Sequence, residues 1–163
     1  MFNVKDNKQG YIFDPFEYLG PKRLSELKTS WDEIFRSEIL PELPVESLRK
    51  YYHDKNGRPS KEMYSILGLL ILQQMHDLTD EKAVGDFMFD TRWRYALVDV
   101  PGDSDREAYV SLKSLWTLRK RLTEDCLYVE MFEKATEKLE LHLTTNQSNI
   151  WLIYQYFLRR RLF

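Results

Sequence analysis

Residues 63–75 read MYSILGLLILQQM, and this run decides the fold. Met63, Ile66, Leu67, Leu70, Ile71 and Met75 recur at the three- and four-residue spacing of one helix face. Leu69 and Leu72 widen that face almost all the way round, the pattern of a helix buried at the centre of a domain. The run is shorter than the roughly 20 apolar residues that cross a bilayer, and charge flanks it closely.

Working outward, Asn56, Gly57, Arg58 and Pro59 make a turn before it, and Ser60 can cap its start. After it, His76 and Asp77 lead to a second start. Thr79 caps there, and Asp80 and Glu81 occupy the first turn, where the helix dipole favours negative charge. Ala83, Val84, Phe87 and Met88 form the buried face of that second helix, and Gly85 weakens it while allowing close packing. Helices over 63–76 and 80–90 joined by so tight a turn have helix–turn–helix spacing. A third short helix carries Trp93, Ala96 and Leu97. Beyond a loop with Pro101 and Gly102, Ser104 and Glu107 have capping-box spacing. They open a helix with Tyr109, Leu112, Trp116 and Leu122, closing on Arg119, Lys120 and Arg121. Thr123 then caps a last helix with Tyr128, Met131, Phe132, Ala135 and Leu139 on one face.

Upstream, residues 1–23 read as an N-terminal arm that Tyr11, Phe13, Phe16 and Tyr18 can pin. Ser25 caps a first helix whose Leu27, Trp31, Ile34 and Phe35 share a face, and Pro41 and Pro44 end it. Leu48, Tyr51 and Tyr52 ride on a short helix. The reading is therefore all-α, a compact multi-helix domain over 24–142 with a helix–turn–helix-like core. A polar linker and an aperiodic aromatic tail follow at 143–163. With 6 Gly, 6 Pro and 43% hydrophobic residues, the composition suits helices better than a loop-rich β design.

The run from Gly57 to Leu122 resembles the N-terminal, InsH-like domain of DDE-type insertion-sequence transposases. The resemblance rests on ordered pieces: Gly57-Arg58-Pro59, the apolar helix, Leu78-Thr79-Asp80-Glu81, Phe89-Asp90-Thr91-Arg92 with Trp93 and Tyr95 behind it, and the basic Arg119 to Leu122. It implies a domain that binds double-stranded DNA at terminal inverted repeats and can form a homodimer or pair with full-length transposase. Two departures stand out. Asp103-Ser104-Asp105-Arg106 and Tyr109-Val110-Ser111 replace the family's usual order before the basic end. The strand bearing the first catalytic Asp is expected after Thr144 to Gln147, yet no acid occurs from Ser148 to Phe163. The expectation is a chain cut off before its catalytic domain, with an out-of-frame tail.

The residues themselves support no catalytic site. His53, His76 and His142 lack ligand spacing, and Cys126 is the single cysteine, beside the acids Glu124 and Asp125 rather than the cations that activate a thiolate. Asp86 and Asp90 share a face as solvated pairs do. No cofactor or metal is expected, and the lone cysteine and absent signal peptide suggest a cytoplasmic protein. The net charge of −2 counts against a uniformly basic DNA-binding domain, so any basic surface must be local. Arg92, Arg94, Arg106, Lys113, Arg119, Lys120 and Arg121 are the residues expected at phosphates, with Trp93 and Tyr95 between them. Trp93 and Trp116 read better as core than as base-stacking residues. The rival reading is a helical association fragment that pairs with or inhibits intact transposase, or an inactive remnant.

Overall fold

The computed structural model describes residues 1–5, 15–53, 59–98 and 109–143, with side chains as far as 138. Its regular elements among the described residues are all helical. The α-helices are α1 (Pro21–Lys28), α2 (Trp31–Ile34), α3 (Met63–Met75), α4 (Asp80–Phe89), α5 (Thr91–Ala96), α6 (Leu112–Glu124) and α7 (Leu127–Leu143). Between α2 and α3 the chain tightens into a π turn (Phe35–Ile39) and two 3-10 segments, Leu40–Glu42 and Glu46–Tyr51.

The apolar run is the centre, as expected. Leu67, Leu69, Leu70, Ile71 and Leu72 of α3 are wholly buried, and even Ser65 and Gln73 are enclosed. Each such aliphatic side chain contributes about 2 kcal/mol on leaving water. Phe35, Leu40 and Leu48 cover α3 from the N-terminal side. Ala83, Phe87, Trp93 and Leu97 cover it from α4 and α5, and Leu115, Leu118, Leu122 and Met131 from α6 and α7. Gly68 is the close-approach glycine: a methyl there would lie 2.9 Å from Leu40 Cδ1 and nearer still to Leu97. Gly85 faces open space, so the close packing expected there is absent.

Several helix starts differ from their sequence reading. Gly20, at φ 78° and ψ 162°, holds a backbone shape that only glycine adopts readily, and Pro21 follows as the first residue of α1. Ser25 therefore lies inside α1 rather than capping it. Ser60 does not cap α3. Its hydroxyl accepts from the Asn3 N–H, while the Glu62 carboxylate receives the Ser65 N–H at 2.7 Å. Through these bonds residues 1–5 dock beside the start of α3. Thr79 caps α4 and Asp90 caps α5. Ser111 caps α6. Thr123 sits in the last turn of α6, its hydroxyl donating to the Arg119 carbonyl at 2.9 Å.

Three helix ends share one device. Asp77, Val98 and Cys126 stand at φ 51°, 54° and 57° after α3, α5 and α6. Each N–H closes onto the carbonyl three residues back, at Gln74, Tyr95 and Thr123. After α3 the motif is complete, because Leu78 N–H also reaches the Gln73 carbonyl at 3.1 Å.

The expected single first helix is broken at Thr29-Ser30. Ser30 is extended there and its hydroxyl donates to Asp32 Oδ2 at 2.5 Å. Asp32 is wholly buried. Burial pushes its carboxyl above the ordinary range, against the pull of Arg92 and Ser30. Phe16 and Leu19, counted with the arm, form a small second core with Leu27 and Tyr95. Tyr11, Phe13, the Asn56 to Arg58 turn, Pro101, Gly102, the Ser104 and Glu107 pair, Arg106 and the 144–163 tail all lie outside the described residues.

Candidate nucleic-acid interface

The seven cations singled out in the sequence scatter into different roles. Arg92 is a clamp. Its Nε and Nη2 donate to the buried Asp32 at 3.0 and 2.9 Å, and its guanidinium lies 5.4 Å from the centre of the Trp31 ring. It ties α5 to α2. Arg94 is half-buried on the same short helix, and Arg106 is not described. Trp93 and Tyr95 are both buried. The Tyr95 hydroxyl donates to Glu33, and the Arg36 guanidinium covers its ring at 4.5 Å. Neither aromatic is placed to touch nucleic acid.

Arg119 is a second clamp. Its two terminal nitrogens donate to the two Asp80 oxygens at 2.8 and 2.5 Å, and one also reaches Gln73 Oε1. Gln73 Nε2 returns a bond to Asp80 Oδ1 at 2.7 Å, and Trp116 Nε1 donates to Asp80 Oδ2 at 2.7 Å. These donors, Arg119 first, hold the Asp80 carboxyl far below the ordinary carboxylate range. The network joins α3, α4 and α6 and takes three of the arginine's five N–H donors.

Along α6, residues 113, 117, 120 and 124 fall one above another on the side away from Leu115, Leu118 and Leu122. Lys113, Thr117 and Lys120 are therefore the solvent crest of the helix. Lys113 has no ion pair among the described residues. Lys120 approaches Glu124 only at 3.7 Å and its side chain is 76% exposed. Trp116 lies on one flank, 58% exposed, contrary to its reading as core. The bond to Asp80 fixes the indole there, so its apolar faces meet water because the network holds them there rather than through looseness.

Arg121 lies on the other flank, 5.0 Å from the ring centres of both Tyr51 and Tyr52. It is the middle of a ladder of cations and rings. Lys50 also reaches the Tyr51 ring at 5.2 Å, Phe2 packs on Tyr52 at 5.5 Å, and Arg49 covers Phe2 at 4.7 Å. Lys50 also pairs with Asp125 at 2.6 Å, fastening the ladder to the end of α6. Between α6 and the start of α3, with Tyr52 of the ladder at its side, runs a groove of about 300 Å3. Lys61, Lys113 and Arg121 line it together with Ser60, Ser111, Ser114 and Thr117, over an apolar floor that includes Ile66 and Leu118. Lys61 and Tyr52 are not marked in the sequence for this role. They are remote from α6 along the chain and carry no local motif.

The pair formed by α3 and α4 has the expected tight turn. The outward side of α4, however, carries Glu81, Lys82 and Asp86, with Lys82 and Asp86 paired to each other at 2.5 Å. That side is acidic on balance, whereas the crest of α6 is cationic. No group of three or more His, Cys, Asp or Glu among the described residues is placed to hold a metal ion. No helix among them is long and apolar enough to cross a membrane.

Comparison with known families matches residues 22–121, more than half of the chain, to the model described as Transposase domain (DUF772). No curated protein and no solved structure matches the chain.

Proposed function

Because the chain belongs to the transposase-domain family (DUF772), we propose that these helices serve a transposase as its DNA-binding portion, recognising terminal inverted repeats and leaving strand transfer to other groups. The observation that carries this reading is the crest of α6, where Lys113, Thr117 and Lys120 stand in line with the fixed, exposed Trp116 beside them. Cations on one helix face neutralise phosphates on one side of a duplex, and an exposed indole adds apolar contact. Of the seven cations expected at phosphates, Lys113, Lys120 and Arg121 are assigned to this surface. Arg92 and Arg119 are assigned to holding the helices in place. Such a role places the protein with cellular DNA in the cytoplasm and requires no cofactor.

Filter-binding titration against a terminal-repeat duplex and a scrambled one, at two salt concentrations, tests the reading. Salt-sensitive binding that prefers the repeat is expected, with Lys113→Gln/Lys120→Gln weakening it. No retention of either duplex by folded protein overturns it.

One observation favours a second reading, association with another copy or with intact transposase. Phe89, at the end of α4, is 82% exposed. A dimer in sedimentation that Phe89→Ser dissociates would support this, and a monomer at all concentrations would remove it.

A further inference from the structure

The groove beside α6 has a chemical signature of its own. Among the described residues its lining holds three cationic side chains, five hydroxyls (Tyr52, Ser60, Ser111, Ser114 and Thr117) and no carboxylate, in a molecule whose net charge is −2. The segregation is local and strong. The neighbouring acid, Glu62, is engaged elsewhere, accepting from Ser65 N–H, from the Ser65 hydroxyl and from Lys5 N–H.

The donors can be counted. Arg121 keeps its guanidinium edge available, because the described partners of that group are the faces of Tyr51 and Tyr52, which take no hydrogen-bond donor from it in the plane. Lys113 has no ion pair among the described residues. The hydroxyls of Ser111 and Ser114 stand 2.8 Å apart, and the Ser111 oxygen also accepts the Ser114 N–H. Whichever serine donates in that pair, the other keeps its O–H proton for a ligand. The Thr117 proton is committed to the Lys113 carbonyl, and the Ser60 proton to the Lys61 carbonyl. The floor beneath these donors is apolar, formed by Met63, Ile66 and Leu118.

Ammonium, guanidinium and hydroxyl donors, with no acid among the described lining residues, select a phosphate over a carbohydrate or a cation. An apolar floor next to them takes the face of a sugar. We propose that this groove binds the sugar–phosphate backbone of a nucleic acid, setting the register of the duplex on α6 without reading its bases. The proposal rests on the DNA-binding reading above and narrows it to one site. Contacts of this class position a protein on DNA and carry no sequence information.

The test uses the full chain, wild type and Lys61→Gln/Lys113→Gln, with Ser114→Ala as a milder variant and Lys82→Gln on α4 as the control. Thermal melts establish that each is folded. Duplex affinity is measured across salt concentration for the repeat and scrambled sequences, and amide NMR shifts are followed on adding duplex or inorganic phosphate at constant ionic strength. The expected result is a salt slope shallower by about 0.9 for each phosphate that the double variant no longer neutralises. The weakening should be equal for both sequences, with amides of Ser111 to Leu118 shifting and Lys82→Gln unchanged. Duplex binding with an unaltered slope in the folded double variant would overturn the groove assignment and leave the DNA-binding reading standing. Wild-type protein that binds no duplex, yet shifts these amides with inorganic phosphate, would overturn the nucleic-acid assignment and reveal a small-phosphate site. No shift with either ligand would overturn both.

Discussion

Asp77, Val98 and Cys126 hold the left-handed backbone that follows three helices, a position where glycine is the usual occupant. Asp tolerates the shape through its short polar side chain, but Cys126 gains nothing comparable and is exposed. Left-handed strain of about 1–2 kcal/mol exceeds the entropy glycine adds to the unfolded chain, about 0.5–1 kcal/mol. Cys126→Gly should therefore stabilise by about 0.5 kcal/mol or slightly more, seen as a higher Tm in a thermal melt. A fall in Tm would show that the thiol packs better than its exposure implies. Because none of the three is glycine, these helix ends carry no stop signal in the sequence. Asp80 is the opposite case, a single carboxylate on which three side chains converge. Asp80→Asn removes the charge and turns an amide donor toward Arg119 or Trp116, costing about 2 kcal/mol in urea unfolding. Its place at the start of a helix is legible from Thr79-Asp80-Glu81. Its grip on Arg119, a residue 39 positions away, is not, because nothing local in the sequence marks that partner.

At the level of elements, the apolar periodicity of residues 63–75 is enough to place α3 at the centre, and Thr79 and the turn before α4 are equally plain. The glycines are not. Gly68 and Gly85 both lie inside helices, and only packing tells them apart. Gly85→Ala should stabilise α4 by about 0.5–1 kcal/mol, since the new methyl meets nothing and the helix gains propensity. Gly68→Ala forces Leu97 and Leu40 aside in a filled core, a strain of about 1–3 kcal/mol that outweighs the same gain. Denaturant titration of the pair should give midpoint shifts of opposite sign, and shifts of the same sign would refute the packing argument. Trp116 departs from its sequence reading for a related reason. An indole at helical spacing normally faces the core, and here the facing Asp80 draws its N–H outward to the surface between α4 and α6.

For the molecule as a whole, the fold class is written in the hydrophobic pattern, while the interface is only half written. Lys113, Lys120 and Arg121 are visible as a basic stretch, but the groove needs Tyr52, Ser60 and Lys61 from the opposite wall. The pairing of buried Asp32 with half-exposed Arg92 spans 60 residues and looks in sequence like two surface charges. Titratable groups packed against the core also set the response to acid. His76 keeps part of its surface in water, yet desolvation of the rest lowers its imidazole below the ordinary 6.5, so the unfolded chain takes up a proton before the folded one does. Stability is thus full above the unfolded value and declines as pH falls below about 6.5. Asp80, held low, keeps its contribution until the pH falls below the ordinary carboxylate value toward its own, while the raised Asp32 gains slightly as it protonates. Urea unfolding between about pH 8 and about pH 5 should show a decline that His76→Gln removes. An unchanged decline in that variant would place the responsible group elsewhere.

His76 lies between two indoles, its ring 5.4 Å from Trp31 and 5.7 Å from Trp93. An excited indole gives up an electron readily to a protonated imidazole and poorly to a neutral one. Two of the four tryptophans therefore carry a built-in quencher that switches on with acid. The intrinsic emission of the protein becomes an optical titration of one residue at the junction of α2, α3 and α5, readable without any label.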